Sequence, residues 1–285
     1  MKWLLGLFSC HTFLSVCTIF VTIQAHAKST DRVALVIGNS DYRVPGGRLK
    51  NPLNDAADVA EKLRRLNFDV SLETNLDHTQ MLKVFDKFLE KTPQYSVRLV
   101  YYAGHGIQYN GLTHLVPIDA QIKVEEDLPK QTYKIDQLID RLDESNERVN
   151  IYVFDACRSN PFTHNFATDR DGRAIRLRGS KNSIEESVPV ANAKAKPARG
   201  GSFVAYAATR GQTSRDTPSK RNSVFTAHLL RYMEEPGLTL DQLFQRVRKG
   251  VIDETGRQQV PRDETSLVEP FCLRPDPGQP CGTLR

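Results

Sequence analysis

Residues 97–106 read Val97-Arg98-Leu99-Val100-Tyr101-Tyr102-Ala103-Gly104-His105-Gly106. Seven residues, mostly β-branched, aromatic or aliphatic, run without a break into a glycine, which is the pattern of a strand buried on both faces. The same pattern recurs on either side. Val33-Ala34-Leu35-Val36-Ile37-Gly38 is a second such run, and Phe68 to Leu72 and the hydrophobic stretch Val149 to Asp155 read as further strands. Between them lie segments of helical period. Asn51-Pro52 opens one, with Leu53, Ala56, Ala57, Ala60 and Leu63 on one face, and Pro52 suits a first turn that needs no N–H. A second starts near Thr79 and presents Met81, Leu82, Phe85, Phe88 and Leu89. Asn110-Gly111 between Ile107-Gln108-Tyr109 and Leu112 to Val116 marks a hairpin, and Ile135 to Leu142 is helical. After Phe162 the periodicity stops until Ser202 to Ala208, a strand, followed by helices over Val224 to Tyr232 and Leu240 to Val251. Strands alternating with helices predict an α/β fold, a mostly parallel sheet flanked by helices on both faces.

The 285 residues have ordinary globular composition, 39% hydrophobic with 17 Gly, 15 Pro and five Cys, which excludes fibrous, disordered and disulfide-scaffold classes. Trp3 to Ile23 lacks charged residues, follows Lys2 and leads into Ala25-His26-Ala27, so residues 1–27 read as a signal peptide and the protein as exported, periplasmic or secreted. The alternative is a membrane anchor retained at the N-terminus. With 1–27 removed no stable membrane span is expected and the net charge is +4. Residues 165–200 alone carry that excess, with eight basic and four acidic side chains. The remainder is neutral and has no basic platform, so nucleic acid is not expected as a partner. Three cysteines then remain. Cys272 and Cys281 in the Pro-rich tail (270–285) are expected to pair in an oxidising compartment, leaving Cys157 as a free thiol; the alternative keeps all three reduced.

In open parallel sheets, sites form beyond the carboxyl ends of strands. Two such ends carry reactive residues: Ala103-Gly104-His105-Gly106 and Asp155-Ala156-Cys157-Arg158. The flanking glycines allow a tight turn and leave backbone N–H groups open. Cys157 would be the nucleophile and His105 the general base and acid, with the N–H groups of Gly106 and Cys157 stabilising the tetrahedral oxyanion. The 52-residue spacing from His105 to Cys157 fits the upstream histidine of caspase-type enzymes. A phosphatase loop fails because no arginine closes the stretch Cys157 to Thr163. There is no phosphate-binding glycine loop, dinucleotide fingerprint, metal set or C-x-x-C redox motif, so no cofactor is expected.

These residues resemble the caspase-like, metacaspase-related cysteine peptidases. Val33 to Asn39, Leu49 to Ala56, Tyr101 to Gly106 and Phe154 to Phe162 are similar to the large-subunit region, here 28–162. Ser202 to Ala208 with Gly211-Gln212-Thr213-Ser214, Asn222-Ser223-Val224-Phe225-Thr226 and Gly256 to Pro261 are similar to the small-subunit region, here 201–269. The resemblance implies a caspase-hemoglobinase fold and a Cys157/His105 dyad. It also implies that Asp55 and Asp155 line a pocket for Arg or Lys, with Asp216 as a further substrate contact and Ala103 in place of a serine. For Asp55 and Asp155 the alternative is structural: Asp55 as a helix cap, Asp155 orienting the strand-end loop. The basic linker, 163–200, is then a candidate for self-processing within 165–200. A calcium requirement stays unassigned. The competing reading is a catalytically silent module of the same fold that binds or scaffolds.

Overall fold

The computed structural model describes residues 31–44, 46–143, 148–156, 200–209, 214, 216–217, 219–278 and 281. The segments 1–27 and 163–199 therefore lie outside the described residues, as does Cys157.

The apolar runs become a six-stranded sheet in the order β2-β1-β3-β7-β8-β9. Its strands are β1 (Arg32–Gly38), β2 (Asp69–Thr74), β3 (Val97–Ala103), β7 (Val149–Asp155), β8 (Gly201–Tyr206) and β9 (Arg262–Thr265). The first five are mutually parallel and β9 runs antiparallel to β8. Every residue of β3 is buried, because alternate side chains feed two cores. Ala34, Val36, Leu99, Tyr101, Val153 and Phe203 pack with the apolar faces of α1 (Pro52–Arg65), α5 (Val224–Tyr232) and α6 (Leu240–Thr255). Val33, Leu35, Ile37, Val100, Tyr102 and Phe154 pack with α2 (His78–Lys91) and α4 (Ile135–Asp143) on the other side. The sheet with helices on both faces is thus as the periodicity implies. Because β8 pairs with β7, the 28–162 and 201–269 regions share one sheet and one core.

Helix starts follow their side-chain signals. Asp77 and Gln80 form a capping box at α2, Thr239 and Gln242 another at α6, and Gly256 ends α6 in the left-handed region. A small antiparallel sheet of β4 (Gly106–Tyr109), β5 (Leu112–Leu115) and β6 (Tyr133–Lys134) follows the His105 turn, with the short α3 (Leu128–Gln131) before β6. Asn110 and Gly111 both have positive φ, as a two-residue primed hairpin turn requires. Strands β6 and β9 had no signal in the sequence. Strand β6 has two residues, and β9 reads Arg262-Asp263-Glu264-Thr265, without apolar alternation. Pairing with β8 and an Asp263–Arg248 ion pair hold β9 at the sheet edge, where charged residues also discourage further pairing. Cys272 and Cys281 are joined by a disulfide with a Cα–Cα distance of 5.7 Å. Among the described residues no helix is long and apolar enough to cross a membrane.

His114, on β5, is buried, and its Nδ1 lies 2.8 Å from the Thr132 hydroxyl, which itself donates to the Leu128 carbonyl. The hydroxyl must therefore accept from Nδ1–H. Burial, and then the nearby Lys134, lower the His114 pKa to about 4. In the unfolded chain the imidazole titrates near its ordinary value of about 6.5, so between these values the unfolded state binds the extra proton. Stability is therefore complete above about pH 6.5 and falls as pH drops towards 4, by about 3 kcal/mol from this group. Urea melts from pH 7 to 4 should show that slope in the wild type and a flatter one in His114→Asn.

Candidate active site

Ala103 at the end of β3 stands in register with Asp155 at the end of β7, and the Gly104 N–H donates to the Asp155 carbonyl at 3.3 Å. His105 and Cys157 each follow this registered pair by two residues.

His105 is held at its ring and at its backbone. Its side chain is buried, with Nε2 2.7 Å from the Gly47 carbonyl oxygen. A carbonyl can only accept, so Nε2 carries a proton and, in the neutral ring, Nδ1 has the lone pair. The His105 backbone N–H donates to the Tyr42 hydroxyl at 2.7 Å, and the Tyr102 hydroxyl donates to the His105 carbonyl at 2.8 Å. The Tyr42 ring also packs on the imidazole, with centroids 4.3 Å apart and planes at 56°.

Neither Gly104 nor Gly106 has a positive φ, so the turn through His105 does not depend on left-handed backbone. Gly104 is required for space: a Cβ there would lie 2.6 Å from the Tyr42 hydroxyl and 2.7 Å from that of Tyr102. Gly104→Ala must displace the two hydroxyls that hold the His105 backbone. It is expected to lower kcat of the peptide-cleaving reaction proposed below by about 10²-fold, the scale of a 1 Å misplacement of a catalytic group. Steady-state kinetics on protein of verified circular dichroism would check this.

The Gly106 N–H is also accounted for. Gly106 pairs with Leu115, and the Val116 N–H donates to the His105 carbonyl one step away. This pattern makes Gly106–Leu115 a non-hydrogen-bonded pair, whose N–H points away from β5.

The three aspartates have different surroundings. Asp155 is fully buried, and its carboxylate accepts from Ser214 Oγ at 2.7 Å, Ser223 Oγ at 2.5 Å and Thr226 Oγ1 at 2.8 Å. Tyr101 Oη is 2.6 Å from Thr226 Oγ1, so three hydroxyls converge on the carboxylate and a fourth reaches it through Thr226. Asp55 is also fully buried. It does not cap its own helix; its Oδ1 accepts the Ser223 N–H at 3.0 Å. Ser223 thus bridges both acids, by N–H to Asp55 and by hydroxyl to Asp155, while its Oγ caps α5 through the Thr226 N–H. Asp216 Oδ2 accepts the Lys50 N–H at 2.8 Å and its Oδ1 the Asn51 N–H at 3.0 Å. Both of its oxygens thus serve the entrance to α1. Asn51 reciprocates, accepting from the Thr217 N–H and donating to the carbonyls of Thr217, Lys220 and Arg221. Asp58 pairs with Arg221 at 2.7 Å. Ser214, Asp216, Thr217 and residues 220–226 are therefore tied to the first turns of α1 and the end of β7. Ser214, Ser223, Thr226, Tyr42 and Gly47 are contributors that the sequence reading did not assign. Only Ser223, three residues before Thr226 at the head of an apolar helix, carried a local signal, that of an N-cap.

Among the described residues no group of three or more His, Cys, Asp or Glu side chains could hold a metal ion.

The mostly parallel sheet carries the His105 turn at the end of β3, beside the registered end of β7. Residues 31–272 match the family model of the peptidase C14 caspase domain, and the chain belongs to that family of cysteine peptidases. Over 128 residues it is 32% identical to human mucosa-associated lymphoid tissue lymphoma translocation protein 1, covering 45% of this chain and 15% of that protein. The mouse homologue is 31% identical over the same length and coverage. The chain thus spans a small fraction of the curated relatives it matches. In three dimensions it resembles caspase-1 from Spodoptera frugiperda with a TM-score of 0.59 at 16% identity, covering 88% of this chain and 92% of that one. It also resembles protein GSU0716 from Geobacter sulfurreducens, with a TM-score of 0.55 at 16% identity over 82% and 92% of the two chains. At these identities the structural likeness concerns the fold alone.

Proposed function

We propose that the protein is an endopeptidase that cuts after Arg or Lys, with Cys157 as nucleophile and His105 as proton carrier. The observation that carries this reading is the 2.7 Å contact between His105 Nε2 and the Gly47 carbonyl, which leaves Nδ1 as the basic nitrogen of the neutral ring. In the first step the Cys157 sulfur attacks the scissile carbonyl carbon as its proton passes to His105 Nδ1. The carbonyl π electrons move onto oxygen, and the N–H groups of Gly106 and Cys157 donate hydrogen bonds to the resulting oxyanion. Collapse of the intermediate breaks the C–N bond, and His105 returns the proton to the departing amine. A water then attacks the thioester, again giving its proton to His105, and the Cys157 sulfur leaves and is reprotonated.

The preference for basic residues is supported by two fully buried carboxylates, Asp55 and Asp155, joined through Ser223. A fixed pair of negative charges suits a guanidinium or an ammonium and disfavours an acidic side chain. Asp216, with both oxygens on backbone N–H groups, orders the loop beside them. The basic stretch 165–200 is a substrate of the same type within the chain. Export is part of the proposal, supported by the composition of residues 1–27 and by the Cys272–Cys281 disulfide, a bond that persists in oxidising compartments.

The test is a panel of fluorogenic peptides with Arg, Lys, Asp or Ala before the scissile bond, under reducing conditions with and without calcium. Turnover confined to Arg and Lys, accompanied by cuts within 165–200 in mass spectra, is the expected result. Turnover after Asp would remove the roles given to Asp55 and Asp155. Absence of turnover from folded protein would favour the silent binding module.

A further inference from the structure

We infer that Tyr42 is a positioning residue for the His105 imidazole, an assignment that rests on the proposed peptidase reading. Tyr42 lies in the loop between β1 and α1, and that single loop supplies both supports on the N-terminal side of the histidine turn. Its Gly47 carbonyl receives the ring Nε2–H, and its Tyr42 hydroxyl receives the backbone N–H. The two supports are five residues apart in the same loop, which several hydrogen bonds tie together. Gly47 N–H closes on the Val44 carbonyl, Leu49 N–H on Ser40, and Arg43 N–H on Ile118, while Asn75 Oδ1 accepts from the N–H groups of Ser40 and Asp41. A shift of the loop that moved Gly47 would therefore carry Tyr42 with it. The imidazole and its own backbone would move together, and the ring would keep its orientation.

Proton accounting shows why the hydroxyl, and not only the ring, is needed. Tyr42 Oη accepts from His105 N–H, and its own proton faces Val116 O at 3.3 Å or Tyr102 Oη at 3.2 Å. Tyr102 gives its proton to His105 O, at 2.8 Å its nearest carbonyl. The peptide groups on both sides of the His105 Cα are thus fixed by two phenols in mutual contact, which turns two separate restraints into one. Removing the Tyr42 hydroxyl leaves a buried N–H facing a phenyl ring. The His105 backbone can then rotate, and the imidazole loses its alignment on Gly47. The ring contact at 4.3 Å survives the change, so packing is preserved.

Tyr42→Phe in the full chain tests this, with Tyr95→Phe as a control that removes a hydroxyl bonded to Asp69 far from His105. The expected result is a loss of about 10-fold in kcat with KM unchanged within about twofold, because positioning of the proton carrier acts in the transition state. In ¹⁵N-edited spectra the His105 Nε2–H proton, sharp in the wild type and in Tyr95→Phe, should broaden or exchange away in Tyr42→Phe. A fall in kcat/KM carried by KM, or an Nε2–H signal unchanged in Tyr42→Phe, would overturn the inference. The spectrum separates this from failure of the peptidase reading. If the wild type cleaves no peptide, the reading falls, and loss or retention of the Nε2–H signal still decides the role of Tyr42.

Discussion

Replacing Cys157 with alanine is expected to lower kcat/KM for an Arg peptide by about 10⁴-fold or more, and replacing His105 with alanine should cost a similar factor. The reason is chemical. In the proposed cycle the thiol gives its proton to the imidazole, and the imidazole serves that nucleophile alone. Groups that act as one unit are not additive, so the double mutant should be no slower than the worse single mutant. The residual rate would come from the oxyanion N–H groups and from substrate binding, which neither substitution removes. Neither change should unfold the protein, since the backbone N–H and carbonyl of His105 keep their tyrosine partners in His105→Ala. Two singles whose effects multiply in the double mutant would show that the residues work in separate steps, contrary to the dyad.

The second large effect belongs to Asp155. Alanine there would strip three hydroxyls, on Ser214, Ser223 and Thr226, of a shared buried acceptor and leave a cavity between β7 and α5. The expected cost is about 3–5 kcal/mol, read from the midpoint and slope of denaturant unfolding. Asp155→Asn separates this structural role from the proposed specificity. The amide keeps the shape and two acceptor lone pairs, so the fold should survive with a smaller loss, while the charge that would face a guanidinium is gone. The ratio of kcat/KM for Arg over Ala peptides should fall by about 10²-fold in that variant. A ratio equal to that of the wild type would confine Asp155 to holding α5 and its loop against β7.

Much of the architecture was legible because burial on both faces of a parallel sheet leaves a plain signature. Val33 to Gly38, Val97 to Ala103 and Val149 to Asp155 can satisfy their side chains only in the middle of such a sheet, and that is where β1, β3 and β7 lie. His105 stood out for the same reason, since a polar residue between glycines at the end of a buried strand has no role in the core. Its supports were not legible. Tyr42 and Gly47 sit in a loop without period, and their importance comes from a contact across 58 residues or more. Strand β9 was missed because its pairing with β8 is imposed by the sheet edge and not by its own Arg-Asp-Glu-Thr sequence. The acids show a third case. The residue type announced a charge, but whether Asp55 would cap its own helix or reach the start of another was decided by Ser223, 168 residues away.

Activation of Cys157 by His105 can be read from the rate at which iodoacetamide alkylates Cys157, followed by mass spectrometry near neutral pH. Folded wild-type protein is expected to react about 10-fold faster than folded His105→Ala, and the difference should disappear when both are denatured. Equal rates in the two folded proteins would contradict it.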